Sequence, residues 1–223
     1  LAKIENIRDQ DDFIRAFNVS RETCEQLETY IELLRKWQKA VNLVSASTLD
    51  EIWHRHIGDS AQIVDIVNES DSPHSSLNWL DIGSGGGFPG LVLAIMLADK
   101  TNMHFHLVES NGRKCAFLAD VVRQLDLSVD VHNCRIEELY DHGSLARVDF
   151  ISARALASLD HLFEFMEPFV QSDLVAYFLK GRDVKAELLQ AHNGWDFSHR
   201  KIPSRTSIDG CLLEVKGLQK KNI

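Results

Sequence analysis

An α/β fold with a mostly parallel sheet is predicted by three features of the chain. A short apolar run, Leu77-Asn-Trp-Leu-Asp-Ile82, breaks into the glycine stretch Gly83-Ser-Gly-Gly-Gly87 and then into a second apolar run from Leu91 to Ala98. Downstream, runs of strand length alternate with segments of helical periodicity, the pattern of a sheet covered by helices on both faces. Finally, 223 residues at 44% hydrophobic and 26% charged are enough for one sizeable core of ordinary globular composition.

Taken in order, the chain opens with an acidic segment that forms a short helix around Phe13, Ile14 and Phe17. Ser20 is placed as an N-cap, with Glu22 and Glu25 in the first turns of the next helix. Cys24, Leu27, Ile31, Leu34 and Val41 recur at helical spacing and define its buried stripe. Thr48-x-x-Glu51 reads as a capping box opening a helix through Trp53 to His56, and a further helical run covers Asp59 to Val67. Asn68 to Ser76, with Ser, Asp and Pro73 clustered, is a linker. Residues 1–75 are thus an N-terminal helical extension and residues 76–223 the main domain. After the first strand and the glycine turn come strands at His104 to Glu109, Val129 to Asn133, Val148 to Ser152 and Leu174 to Lys180. Helices are expected at Arg113 to Leu125 and through Leu159, Leu162, Phe163 and Met166, stopping near Pro168. Two weaker strands, Trp195 to Ile202 and Gly210 to Lys216, close the sheet as an antiparallel pair.

A strand, a glycine turn and a helix start place a nucleotide-type cofactor at the carboxyl edge of the sheet. Gly85, Gly87 and Gly90 satisfy G-x-G-x-x-G, a weak fingerprint for a dinucleotide. Two residues oppose that ligand. Pro89 removes a backbone N–H that a pyrophosphate would use, and Asp81 at the strand end repels phosphate. A cationic ligand suits the same turn. S-adenosylmethionine carries a sulfonium and an ammonium and no phosphate, and Asp81-x-Gly-x-Gly-x-Gly87 resembles the first motif of Rossmann-like methyltransferases. Glu109 ends the second strand 19 residues past Gly90, where an acid can accept both ribose hydroxyls of an adenosine. Ile136 and Glu137 follow the third strand, in position to hold an adenine ring by an apolar side chain and a backbone amide. Arg154 follows the fourth strand in an apolar setting and must have a partner, because an unpaired buried guanidinium is costly.

Charge and cysteine use narrow the function further. Net charge is −9 overall. Residues 1–75 and residues 76–180 each contribute −6, and residues 181–223 contribute +3. This balance argues against a general nucleic-acid binder; any phosphate contact should be local and C-terminal, and a few solvated basic side chains are the alternative on charge alone. Lys180, Arg182, Arg200, Lys201 and Arg205 are the candidate phosphate-facing cations, with His54, Arg55 and His56 lining the same mouth. The four cysteines are scattered with no C-x-x-C pair, which fits reduced thiols in a cytoplasm. The opening residues lack a signal-peptide pattern, and no apolar run reaches the length of a membrane span. No metal site is expected: His54 and His56 do not share a helix face, and His104 and His106 share a strand face without an apparent further ligand.

The chain resembles the RsmG family, also called GidB, ribosomal RNA small subunit methyltransferase G. The matching pieces are Trp37 with Asn42-Leu43, Arg55-His-Ile-Gly-Asp-Ser60, Asp81-Ile-Gly-Ser-Gly-Gly-Gly-Phe-Pro-Gly90, Glu109-Ser-Asn-Gly-Arg-Lys114, Arg135-Ile-Glu-Glu138, Ser152-Ala-Arg-Ala-Leu-Ala-Ser158 and Leu179-Lys-Gly181. Glu109 stands where the family often has Asp, and Ala153 is an extra residue before Arg154. The resemblance implies a Rossmann-like class I S-adenosylmethionine-dependent methyltransferase that modifies guanosine N7 in 16S rRNA. It implies cofactor contacts at Gly83, Phe88, Ile136, Glu137 and Arg154, beside Gly85 and Glu109 read from the turn and the strand end, with Arg154 also at the catalytic boundary. It implies 16S rRNA, in the small subunit or an assembly intermediate, as partner of a monomeric enzyme. The residues after the fourth strand lack the Asn/Asp-Pro-Pro-aromatic run of adenine N6 enzymes, and no Cys follows a Pro as in pyrimidine carbon-five enzymes. Guanine N7 offers a free lone pair, so alignment without a general base suffices. Two other readings stand beside this one: a nicotinamide-dependent oxidoreductase, and a non-catalytic S-adenosylmethionine-binding RNA scaffold.

Overall fold

A computed structural model describes residues 4–67, 76–99, 102–141, 145 and 147–221. Helices α1 (Gln10–Phe17) and α2 (Arg21–Gln38) lead into a π-helical segment, Trp53–Gly58, that runs on as α3 (Asp59–Val67). Strands β1 (Leu77–Ile82), β2 (Met103–Val108), β3 (Val129–His132), β4 (Phe150–Arg154) and β5 (Val175–Lys180) alternate with helices α4 (Gly90–Met96), α5 (Gly112–Leu125), α6 (Ile136–Asp141) and α7 (Leu159–Met166). Helix α8 (Val184–Gly194) precedes β6 (Trp195–Pro203) and β7 (Cys211–Lys220). The sheet order is β3-β2-β1-β4-β5-β7-β6, with β1 to β5 parallel and β7 antiparallel to both of its neighbours. The order reverses between β1 and β4, which opens a crevice at their carboxyl ends.

The near-continuous apolar character of β1 follows from cover on both faces. Leu77 and Trp79 pack into one buried cluster with α1 to α5, while Leu80 and Ile82 pack into a second with α7 and α8. The N-terminal helices therefore share a core with the sheet: Leu27, Ile31 and Leu34 of α2 are in the same cluster as Leu91, Phe105 and Phe117.

Several expectations need correction. Helices α6 and α8 were not read from the sequence, and α8 buries only Val184 and Ala191, too few apolar positions to set a period. Thr48 does not cap a helix. Its hydroxyl donates to the Ser45 carbonyl at 2.9 Å and lies 2.8 Å from His56 Nε2. Ser20 caps α2 as expected, accepting the Thr23 amide at 3.1 Å. The linker assigned to Asn68 to Ser76 lies, but for Ser76, outside the described residues. His104 and His106 do have further donors beside them. The parallel register sets His106 opposite Asp130 and Val108 opposite His132, so all four polar side chains share one sheet face.

Candidate active site

The glycine turn rests on a buried polar pedestal. Asp81 is fully buried; its Oδ1 accepts from Ser152 Oγ at 2.6 Å, and that hydroxyl in turn accepts from Trp79 Nε1 at 2.9 Å. Burial pushes the Asp81 carboxyl up to about 6, against the opposing hydrogen bond from Ser152. A Cβ on Gly90 would stand 2.7 Å from Asp81 Oδ2 and 2.4 Å from Leu107, so the helix start can approach the strand only with glycine there. This corrects the reading of Asp81 as a charge that faces the ligand. Asp81 lies beneath the turn rather than on its surface, because β4 supplies Ser152 as its partner.

The turn itself is held from two sides. Gly85 takes φ of +57° and donates its amide to Glu109 Oε2 at 3.0 Å, while Glu109 Oε1 accepts the Asn111 amide at 2.8 Å at the start of α5. A carboxylate has about four acceptor positions, so this one retains capacity for hydroxyl donors in the cavity. From the other side, Tyr30 of α2 donates to the Gly86 carbonyl. Desolvation raises the Tyr30 phenol well above its usual range, so it remains a donor. Tyr30→Phe is expected to lower stability by about 1–3 kcal/mol, since the buried carbonyl loses its donor. Urea denaturation checks this, and an unchanged midpoint would refute the brace.

Around this turn lies a cavity of about 410 Å³. Gly83, Gly85, Phe88, Glu109, Ile136, Glu137 and Arg154 all line it, as do Leu43 and Leu156, which the sequence reading did not single out. Leu43 belongs to the N-terminal extension, and its carbonyl would lie 3.0 Å from a Cβ on Gly86. No local pattern links those two residues.

Arg154 stands in the wall between this cavity and a second one of about 470 Å³, and lines both. Its Nη1 donates to the Arg55 carbonyl at 2.9 Å, its Nη2 to His56 Nδ1 at 2.6 Å, and its guanidinium carbon lies 5.0 Å from the Phe88 ring centre. Asp59 supplies the nearby counter-charge, 3.5 Å away. Since Arg154 can only donate, His56 Nδ1 accepts, which puts the ring proton on Nε2 facing Thr48. Burial, reinforced by Arg154, depresses His56 from 6.5 to about 3.

That depression has a pH signature. The unfolded chain binds a proton at His56 near pH 6.5 and the folded chain does not until about 3, so stability rises with pH across that window and is lost on acidification. Asp81 acts in the opposite sense, because its pKa is raised from 3.8 to about 6 and its contribution falls as pH rises through that interval. His56→Gln should remove the first slope, worth a few kcal/mol over its full window, and leave the second. Denaturant midpoints between pH 4 and 7 read this out, and parallel profiles for the two proteins would disprove it.

The candidate RNA-facing cations do not form one surface. Lys180 lines the second cavity but is buried, paired to Glu187 and donating to the Ala157 carbonyl at 3.0 Å. Arg182 pairs with Asp209 at 2.9 Å on the exposed surface. Arg200 bonds Glu214 at 2.9 Å, and as consecutive residues of β6, Arg200 and exposed Lys201 point to opposite faces. Arg205 is a tether to Glu5, Asp65 and the Ala16 carbonyl. Arg55 and His56 do line the second cavity, whereas His54 turns away to accept the Ile7 amide at 3.5 Å.

Known proteins with similar sequences agree on one family. A family profile described as rRNA small subunit methyltransferase G (GidB) matches residues 23–210. The ribosomal RNA small subunit methyltransferase G of Parvibaculum lavamentivorans is 45% identical over 94% of this chain and 90% of its own length. That of Methylorubrum populi is 44% identical over 91% and 92%. Among solved structures, a putative O-methyltransferase from Klebsiella pneumoniae superposes with a TM-score of 0.59 at 11% identity, covering 93% of this chain and 96% of that one. An S-adenosylmethionine-dependent methyltransferase from Aquifex aeolicus gives 0.53 at 14%, covering 83% and 97%. Those two likenesses concern the fold, which is that of Rossmann-like methyltransferases. With a matching profile over most of its length and relatives above 40% identity, the chain belongs to the ribosomal RNA small subunit methyltransferase G family.

Proposed function

We propose that this chain methylates N7 of a guanosine in 16S rRNA, with S-adenosylmethionine in the first cavity and the target base entering by the second. The observation that carries the reading is Arg154, one guanidinium shared by the walls of two adjoining cavities. The donor set fits the cofactor. A cavity of about 410 Å³ falls in the range of small-molecule sites, Glu109 offers a carboxylate for ribose hydroxyls, and Ile136 and Glu137 stand where an adenine would lie. Gly83 and Gly85 both hold positive φ, so the turn brings backbone to the cavity without a side chain in the way.

S-adenosylmethionine, when bound, supplies a methyl group on a cationic sulfur. The chain's own contribution is position. Guanine N7 carries no proton to remove, and Asp59, the carboxylate nearest Arg154, is committed to that cation and to the Thr206 hydroxyl at 2.9 Å. Proximity and alignment then account for the acceleration. A guanine methylated at N7 becomes cationic, and the positive Arg154 beside it favours departure.

We take the enzyme to act as a monomer in the cytoplasm, on rRNA within the small subunit or an assembly intermediate. No helix among the described residues is long and apolar enough to cross a membrane. With Lys180 and Arg205 neutralised, Arg55 and Lys201 are the cations we assign to phosphate, so the salt dependence of binding should be shallow, about −0.7 per contact for single strands. Short free RNA should therefore be a poor substrate.

The test is methyl transfer from labelled cofactor to 16S rRNA, naked and in assembled subunits, followed by mapping of the modified base. Label at one guanosine N7 is expected. Cofactor binding without transfer to either substrate would favour the scaffold reading, and tight NADH binding without affinity for S-adenosylmethionine would favour the oxidoreductase.

A further inference from the structure

We propose that His104, His106 and Asp130, with His132 as the fourth donor, bind a divalent transition-metal ion of the zinc class and thereby staple the edge strand β3 to β2. The site is separate from the two cavities described above, neither of which it lines.

The donors already converge. One ligand atom from each of His104, His106 and Asp130 lies within 4.8 Å of the other two. Asp130 Oδ2 is 3.0 Å from His104 Nε2 and 3.8 Å from His106 Nδ1, and His106 Nδ1 is 3.1 Å from His132 Nε2. Four donors at 2.0–2.1 Å around a tetrahedral zinc would stand about 3.3 Å apart. The three spacings straddle that value, so small side-chain adjustments would bring His104, His106 and Asp130 onto one ion, with His132, which approaches His106, swinging in as the fourth donor.

The chemistry selects the metal. Three imidazoles and one carboxylate suit zinc, cobalt or nickel, whereas magnesium and calcium require oxygen ligands. Ser128 adds the support expected around such a site. Its Oγ lies 2.8 Å from His104 Nδ1, which leaves Nε2 as the ligating atom. Burial of His106 beside partly exposed His104 and exposed Asp130 gives the site a fixed base and an open entry. The location supplies a reason for it. β3 has four residues and bonds to the sheet through β2 alone, so the edge is weakly held at this point. None of the four donors lines the cofactor cavity, although the His132 carbonyl accepts the Glu109 amide at 3.1 Å, so the ion is structural and holds β3 against β2.

Cys115 and Cys134 form the rival sulfur-containing site: the Cys115 thiol donates to the Glu109 carbonyl at 3.0 Å, and Cys134 lines the first cavity with Glu109. Untagged full-length protein, stripped with chelator, should be titrated with Zn²⁺ against a chromophoric competitor and, separately, with Co²⁺. One equivalent is expected, with the visible d–d bands of a tetrahedral Co²⁺ site and no thiolate charge-transfer band. Ser128→Ala should weaken Zn²⁺ about 10–100-fold, and His104→Gln or Asp130→Asn at least as much. Zn²⁺ should raise the melting temperature of the wild type and not of Asp130→Asn, while S-adenosylmethionine binds both equally. Asp130 is exposed, so that variant keeps the test valid if a histidine variant misfolds. A thiolate band, or Zn²⁺ affinity unchanged in Asp130→Asn and Ser128→Ala, would overturn the proposal.

Discussion

Arg154→Lys should reduce methyl transfer at saturating cofactor by about 100-fold or more while leaving the melting temperature within a few degrees of wild type. The guanidinium makes two divergent donations, to the Arg55 carbonyl and to His56 Nδ1, and covers the Phe88 ring. An ammonium is a point charge on a flexible stem; it can keep the ion pair with Asp59 but cannot satisfy both acceptors and stay flat on the ring. The wall between the two cavities would then move by a fraction of a side chain, and reaction rates respond steeply to misplacement on that scale. Turnover by the Lys variant equal to wild type would remove Arg154 from the reaction. A collapsed melting temperature would instead make it a structural residue.

Glu109→Ala is expected to raise the dissociation constant of S-adenosylmethionine by about 10–100-fold, corresponding to the roughly 1.5–3 kcal/mol of a hydrogen bond to a charged group. Two losses combine. The ribose hydroxyls lose their acceptor, and the Gly85 amide loses the carboxylate that holds the turn in its left-handed conformation. Glu109→Gln separates them. Glutamine keeps one acceptor oxygen, enough for Gly85 or for Asn111 but not for both, so its affinity should fall between the other two. Calorimetry decides the order. Equal affinities for all three proteins would show that neither a ribose contact nor the hold on the turn through Glu109 contributes to cofactor binding.

What could be read from the chain was local. The glycine turn, the strand ends and the seven cofactor candidates that line the first cavity all lie in short motifs whose backbone consequences follow from neighbouring residues. The errors lie where a side chain's role is set by a distant partner. Asp81 reads as a charge facing the ligand because nothing in its own stretch shows that Ser152, 71 residues on, donates to its carboxylate. Lys180 was assigned to RNA because α8, which carries Glu187, has too weak an apolar period to be seen. Nothing in its own helix marks Tyr30, which reaches the turn 56 residues away. The histidine face was half visible: His104 and His106 alternate on one strand, but the other donors arrive only through the register of β3.

The Arg205 tether has a consequence for the order in which this protein is made. Arg205 bonds Glu5 across 200 residues, stacks 4.3 Å from the Phe17 ring, and is followed by Thr206, which holds Asp59 beside Arg154. Closing so long a loop is entropically slow, and during synthesis the helices it fastens emerge far earlier than the hairpin that fastens them. A nascent chain thus completes its glycine turn first and acquires the full wall of the second cavity only when β6 and the loop after it have been translated. Formation of the second cavity is in this way made to depend on translation beyond β6, and shorter nascent polypeptides lack part of its wall.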